Sequence, residues 1–134
     1  MAAKSKTIVQ TELIPGVTSV QVYDALVNAR KHAAFTGAAA TGAAKVGSKF
    51  TAWDGYIFGK HLELDPPRHI VQEWSTTEWP EGFPPSKLVW DFVEKDGGVE
   101  VTMTHSEVPA SQAESYRQGW VDYYWTPLKR YLAR

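Results

Sequence analysis

The chain of 134 residues contains no cysteine. That absence removes disulfide scaffolds, thiolate nucleophiles, thiolate zinc sites and iron–sulfur ligation together. It leaves the redox compartment open. An excess of charge is lacking too: 14 Lys and Arg stand against 15 Asp and Glu, a formal net charge of -1. Without a surplus positive field there is no general means of holding a phosphate backbone, so nucleic acid is not expected as a partner. Long apolar runs are missing. The opening stretch mixes Lys4, Lys6, Gln10 and Glu12 among short apolar steps, unlike the apolar centre of a signal peptide, and nothing later is long enough to span a bilayer. A cytoplasmic protein without membrane insertion is the expectation. Also absent are Gly-x-Ser-x-Gly, a phosphate-binding loop, a dinucleotide fingerprint and any His-x-x-x-His pair.

What the chain has in abundance is rings. Aromatic residues make up 13% of it and include six Trp; a domain of this size must pack such bulk densely or leave space between the rings. The overall balance, 43% hydrophobic and 22% charged, suits one compact domain spanning residues 1–134, with residues 1–6 as a disordered tail. Two independent cores would not fit.

Residues 7–14 are rich in β-branched side chains and stop at Pro15-Gly16, a strand followed by a turn. Thr18-Ser19-Val20-Gln21 then fits a capping box, with Val17 and Val22 at the hydrophobic-staple positions and Val20, Tyr23, Leu26 and Val27 as the apolar face of the helix it starts. A second short helical turn over residues 31–35 ends at Thr36-Gly37. The Ala-rich run 38–45 is read as loop, because glycines bracket it too closely for helix nucleation to be recovered. Two Asp-Gly pairs, 54–55 and 96–97, mark hairpins of type I′ joining residues 50–53 to 56–64 and residues 88–94 to 99–106. Residues 69–74 form another strand. The proline-rich stretch 79–85 is a stiff crossover, a lid or an exposed protein contact. Alternation places Leu88, Trp90 and Phe92 on one face, opposite Val99, Val101, Met103 and His105. A long helix closes the chain, with Pro109 in its first turn and Tyr116, Trp120, Tyr123, Tyr124, Leu128, Tyr131 and Leu132 at steps of three and four. Pro127 should bend it, and Gly119 suggests a close approach to its backbone. The order is strand, two helices, five strands, long helix.

Ala34-Phe35-Thr36-Gly37, Gly47 with Phe50, Asp54-Gly55-Tyr56-Ile57-Phe58-Gly59, His69-Ile70-Val71 with Trp74, Trp79-Pro80-Glu81-Gly82, and Gln118-Gly119-Trp120 with Tyr123-Tyr124 stand in an order and spacing that resembles one family. It is the activator of Hsp90 ATPase homologue-like proteins of the START-like (SRPBCC, polyketide cyclase and dehydrase) superfamily. The resemblance runs over residues 7–132. It implies an α+β helix-grip fold: a curved antiparallel sheet of about six strands wrapped around a long C-terminal helix, with two short helices between strands 1 and 2. It also implies either an apolar small molecule held between sheet and helix or, as in the eukaryotic co-chaperone whose second domain the chain resembles, action on an Hsp90-type chaperone in the stress response. No catalytic residue comes with it.

Phe35, Trp53, Trp74, Trp90, Met103, Trp120 and Tyr124 would line such a cavity. A filled core would look the same in sequence. His105, in phase with the inward residues of its strand, is either a polar anchor for a ligand or a neutral, hydrogen-bonded core histidine, the commoner state. His61 and Glu63 share a strand face, as do His105 and Glu107, but two residues of one strand do not complete a metal site, so neither metal nor cofactor is expected. Glu63 with Asp65 or Glu73 would serve acid–base chemistry only if one of them were buried with a raised pKa. The leading expectation is a non-enzymatic monomer or weak dimer that binds a lipid, sterol or polyketide-like molecule. A chaperone-directed interaction module working through exposed surface competes with it, and an enzyme using the cavity is the third reading.

Overall fold

The computed structural model describes residues 4–133. In chain order it contains β1 (Ser5–Pro15), α1 (Ser19–Val27), α2 (Ala29–Thr36), β2 (Lys49–Ala52), β3 (Ile57–Asp65), β4 (His69–Thr76), β5 (Ser86–Lys95), β6 (Gly98–Pro109), α3 (Ala113–Trp120) and α4 (Thr126–Leu132), with a π-helical turn at Val121–Trp125 running α3 into α4. The strands form one antiparallel sheet in the order β1-β6-β5-β4-β3-β2. Its concave face receives the C-terminal helix and the α1–α2 pair, the α+β helix-grip arrangement. None of the described helices is long and apolar enough to cross a membrane.

Local chemistry explains most element boundaries. The capping box forms: the Gln21 N–H donates to Thr18 Oγ1 at 3.3 Å, and Gln21 Oε1 accepts from the Thr18 N–H at 2.8 Å. Val17 and Val22 are both buried beneath it. Helix α2 starts earlier than expected because Asn28 caps it, accepting the Lys31 N–H at 3.0 Å. Residues 38–45 stay non-helical, and Thr41 bridges to Thr51, covering the outer edge of β2. Asp96 and Gly97 both take positive φ, and Lys95 pairs with Gly98, a two-residue I′ connection.

Several expectations need correction. The tail is shorter than residues 1–6, since Ser5 and Lys6 already pair with Pro109 and Val108; residues 1–3 lie outside the described residues. Val20 faces solvent, and α1 buries Val22, Tyr23, Ala25, Leu26 and Val27. The first Asp-Gly hairpin has a four-residue loop, with Ala52 paired to Ile57 and positive φ at Trp53, Asp54 and Gly55, so Trp53 is a turn residue. Pro109 ends β6 and does not open the last helix. A bulge between His61 and Glu63 turns His61 inward and Glu63 outward. Glu107, at φ 61°, does the same to the His105/Glu107 pair: His105 is buried and Glu107 exposed. At Gly59 the neighbouring strand comes so close that a Cβ would lie 1.9 Å from the Glu73 carbonyl oxygen.

Candidate functional site

The inward face of β4, β5 and β6 carries Trp74, Leu88, Trp90, Met103 and His105, all buried. Register sets Trp90 opposite Met103 and Leu88 opposite His105. From the other side the helix presents Trp120 and Tyr124, four residues apart and so on one face. Their rings interlock: Trp90 meets Trp120 edge-on with centroids 5.6 Å apart, Trp74 meets His105 edge-on at 4.7 Å, and Trp120 lies 4.8 Å from Tyr124. Phe35 closes the α2 side, edge-on to Tyr124 at 5.8 Å. Such pairs add about 0.5–1.5 kcal/mol each beyond area burial. The seam is filled by rings.

His105 is bolted into that seam in one tautomer. Ser86 Oγ donates its single hydrogen to the Trp74 carbonyl at 2.7 Å, so at 2.8 Å it accepts from His105 Nε2–H. The bare Nδ1 then accepts Trp120 Nε1–H at 3.1 Å. Protonating Nδ1 would aim one N–H at another. Burial pushes the imidazole down to about 3, which keeps it neutral. A second histidine, His32, follows the same logic: Nδ1–H donates to the Leu26 carbonyl at 3.0 Å, and Nε2 accepts from the Tyr124 hydroxyl at 2.9 Å. Burial lowers its pKa and raises that of Tyr124.

Two small spaces border the seam. One, of about 30 Å³, is lined by Leu26, His32, His61, Gln72, Trp90 and Tyr124 with others, room for about one or two waters. There His61 Nδ1 accepts from Gln72 Nε2 at 3.3 Å, and burial lowers the pKa of His61. The other is an open apolar notch of about 140 Å³ between β3 and the helix, bordered by Tyr56, Ile57, Trp74, Tyr116, Gly119 and Tyr123. Gly119 answers no close approach: the nearest atom to a Cβ there would be Tyr123 Cδ2 at 3.8 Å, so the missing side chain keeps the notch floor open. A hydrogen-bonded rim holds the ring positions. Tyr116 donates to Gln112 Oε1 at 2.8 Å and accepts from Thr76 at 2.7 Å, Gln112 donates to the Glu78 carbonyl at 2.8 Å, and the Tyr56 hydroxyl donates to the Glu78 carboxylate.

Among the expected site residues, Phe35, Trp74, Trp90, Met103, His105, Trp120 and Tyr124 converge on the seam. Trp53 does not; it sits on the 53–56 turn, edge-on to Tyr123 at 5.4 Å. Trp74, Trp120 and Tyr124 border both spaces and Trp90 the smaller one, whereas Phe35, Met103 and His105 border neither. Sequence reasoning overlooked His32, Gln72 and Trp125. It also set Tyr123 in the buried stripe, yet that ring is 57% exposed. Trp125 is the inward residue, 5.7 Å from Trp90 and donating from Nε1 to Gln10 Oε1 at 2.7 Å. No cluster of three His, Asp or Glu suited to a metal occurs among the described residues.

Comparison with known proteins agrees with this architecture. The model of the family "Activator of Hsp90 ATPase homolog 1-like protein" matches residues 17–133. The human protein "Activator of 90 kDa heat shock protein ATPase homolog 1" is 39% identical over 97 residues, covering 72% of this chain and 28% of its own length. The chain thus spans little more than a quarter of that relative. Among solved structures, an Hsp90 activator from Plasmodium falciparum superposes with a TM-score of 0.81 at 24% identity, covering 96% of each chain. CalU16 from Micromonospora echinospora gives 0.75 at 21% identity, with 97% of this chain and 76% of that one covered. The match over residues 17–133, with the shared fold, places the chain in the activator of Hsp90 ATPase homolog 1-like family.

Proposed function

We propose that this chain is a protein-interaction module that acts on an Hsp90-type chaperone through its surface. The observation that carries the reading is the filled seam: indole and imidazole rings leave about 30 Å³ where the enclosed ligand would sit, against the roughly 300–1,000 Å³ that small-molecule pockets usually offer. A sterol or lipid has no room there. Similarity to the human ATPase activator supplies the class of partner. The exposed aromatic notch supplies a point of attachment, since Tyr123 stands half out of the surface beside an opening sized for one apolar side chain. Truncating an aromatic anchor at an interface costs about 2 kcal/mol or more, roughly thirtyfold in affinity. Tyr123→Ala should therefore weaken binding and stimulation of the chaperone ATPase roughly thirtyfold while lowering the melting temperature by only about 5 °C or less, the share of the lost edge contact with Trp53. A chaperone ATPase indifferent to the wild-type protein, with no co-sedimentation, would overturn the proposal.

A second reading rests on the notch itself. Its volume of about 140 Å³ is close to that of an engineered cavity of about 150 Å³ that takes up benzene, so a single aromatic ring fits it. Titration with one-ring compounds, followed by tryptophan fluorescence and amide shifts at Gly119, separates the two readings.

A further inference from the structure

The notch between β3 and the helix is walled by rings. Six of the nine residues that border it are aromatic: Tyr56, Trp74, Tyr116, Trp120, Tyr123 and Tyr124. They do not form one stack. Trp74 stands at 87° to Tyr116 and at 40° to Trp120, and Trp120 at 57° to Tyr124, so their planes bound the space from several directions. Three of the four phenols have their hydrogens committed elsewhere: Tyr56 donates to the Glu78 carboxylate, Tyr116 to Gln112 Oε1 at 2.8 Å and Tyr124 to His32 Nε2 at 2.9 Å. An occupant therefore meets mainly carbon and π surface. The charged groups joined to the rim are acidic. No lysine or arginine borders the notch. Glu78 stands at the hydroxyl end of Tyr56 and accepts from Gln112 through its carbonyl. Glu114 and Asp122 lie next to lining residues of the helix, and the one cation beside them, Arg117, is drawn to Glu114 at 3.4 Å.

We infer that the notch is an aromatic cage for a methylated ammonium group, of the kind carried by choline or by trimethyl-lysine. Such a group presents C–H surface and donates no hydrogen bond, which suits walls of carbon, while its charge is attracted by the negative faces of the rings. A neutral apolar group of the same shape would gain the burial without that attraction. Tyr56 is the best placed ring. Donation of its hydroxyl hydrogen to a carboxylate leaves the ring richer in electrons, and the same carboxylate opposes the charge of the guest from the rim. An unmethylated ammonium brings three N–H donors that ring faces leave unsatisfied, so methylation is selected for. The space of about 140 Å³ holds one head group, and the half-exposed Tyr123 leaves an open side for the molecule that carries it. The inference rests on the notch being the attachment point proposed above, and it names the chemistry of the group taken up there.

Titration of the intact chain with choline, and with the uncharged isostere in which carbon replaces its nitrogen, tests the cage at constant ionic strength. Amide shifts at Gly119 and tryptophan fluorescence report occupancy. Choline should bind about tenfold more tightly than the isostere, the size of one good cation–π contact. Tyr123→Leu keeps apolar bulk at an exposed position and removes a ring; it should weaken choline about fivefold and leave the isostere unchanged. A peptide carrying trimethyl-lysine should bind about tenfold better than the same peptide with plain lysine. Binding of that peptide more tightly than choline assigns the group to a protein partner, and equal binding assigns it to a free ion. Equal affinity for choline and isostere, a preference untouched by Tyr123→Leu, or indifference to methylation would overturn the inference. The chaperone assay fails separately. Stimulation by a protein that ignores choline overturns the cage and leaves the proposed function standing, whereas choline uptake beside an indifferent chaperone does the reverse.

Discussion

Replacing His105 by Gln is the sharpest test of how the core is held. A glutamine amide can accept from Trp120 Nε1–H and donate to Ser86 Oγ, reproducing the bonds of the imidazole without its titration. The histidine pKa is about 3 in the folded protein against 6.5 in the unfolded chain. Between those values the unfolded state binds the extra proton, so stability rises with pH. The contribution is fully present above pH 6.5 and is lost as pH falls toward 3. The whole interval corresponds to roughly 4–5 kcal/mol, of which roughly 3 kcal/mol is gone by pH 4. At pH 7 the variant forfeits ring contacts with Trp74 and Trp120 and should be about 1–2 kcal/mol less stable. Urea unfolding followed by tryptophan fluorescence at pH 7, 5 and 4 should give stability curves that cross near about pH 5, the variant being the steadier in acid. His32 and His61, whose pKa values burial also lowers, remain in both proteins and cancel in the comparison. Parallel loss of stability by wild type and variant between pH 7 and pH 4 would refute the reasoning.

Two glycines should respond in opposite ways to alanine. Gly59→Ala forces a Cβ to within 1.9 Å of the Glu73 carbonyl and 2.9 Å of the Phe50 ring, so β3 must part from β4, and a loss of about 3 kcal/mol or more in urea unfolding is expected. Gly119→Ala meets nothing closer than 3.8 Å and should gain about 0.5–1 kcal/mol of helix propensity while narrowing the notch; a destabilised variant would mean that the space is not open. The Glu94 carboxylate accepts from the Ser19 N–H at 3.1 Å and the Ser19 hydroxyl at 2.9 Å, which holds its pKa below the ordinary value. Ser19→Ala should move the NMR titration of Glu94 part of the way back up, and an unmoved titration would remove the hydroxyl from the explanation.

How much of this was legible in the sequence depends on the range of the interaction. Local chemistry read well: the Thr18–Gln21 box, the Asp96-Gly97 turn and the alternation that buries Leu88, Trp90 and Phe92 opposite His105, Met103 and Val101 all depend on neighbours a few residues away or directly across a tight hairpin. Bulges were not legible. A single extra residue between His61 and Glu63 puts the two on opposite faces of the sheet, and nothing local marks it; the positive φ of Glu107 falls on a residue type that seldom adopts one. Aromatic content was legible but ambiguous. The same rings can wall a cavity or fill it, and the outcome rests on contacts such as Trp90 against Trp120 that join segments far apart in the chain.

The π-helical turn shows how one local disturbance carries that ambiguity to the surface. Pro127 lacks a backbone donor, and the chain meets it with a wider turn in which the Thr126 N–H bonds back to the Val121 carbonyl. A wider turn places more residues per revolution and retards the angular phase of everything after it. In an unbroken α-helix the stripe through Tyr116 and Trp120 would carry Tyr123 and Tyr124 inward together and leave Trp125 outside. With the wider turn Tyr124 and Trp125 face the core, and Tyr123 is turned out. Two consequences follow from one cause: Trp125 reaches Gln10 and fills the β1 side of the seam, and Tyr123 becomes available to frame the notch above Gly119. The residue that closes the interior and the residue that opens the surface site are thus set by the same irregularity, which ties a filled seam to an exposed aromatic contact.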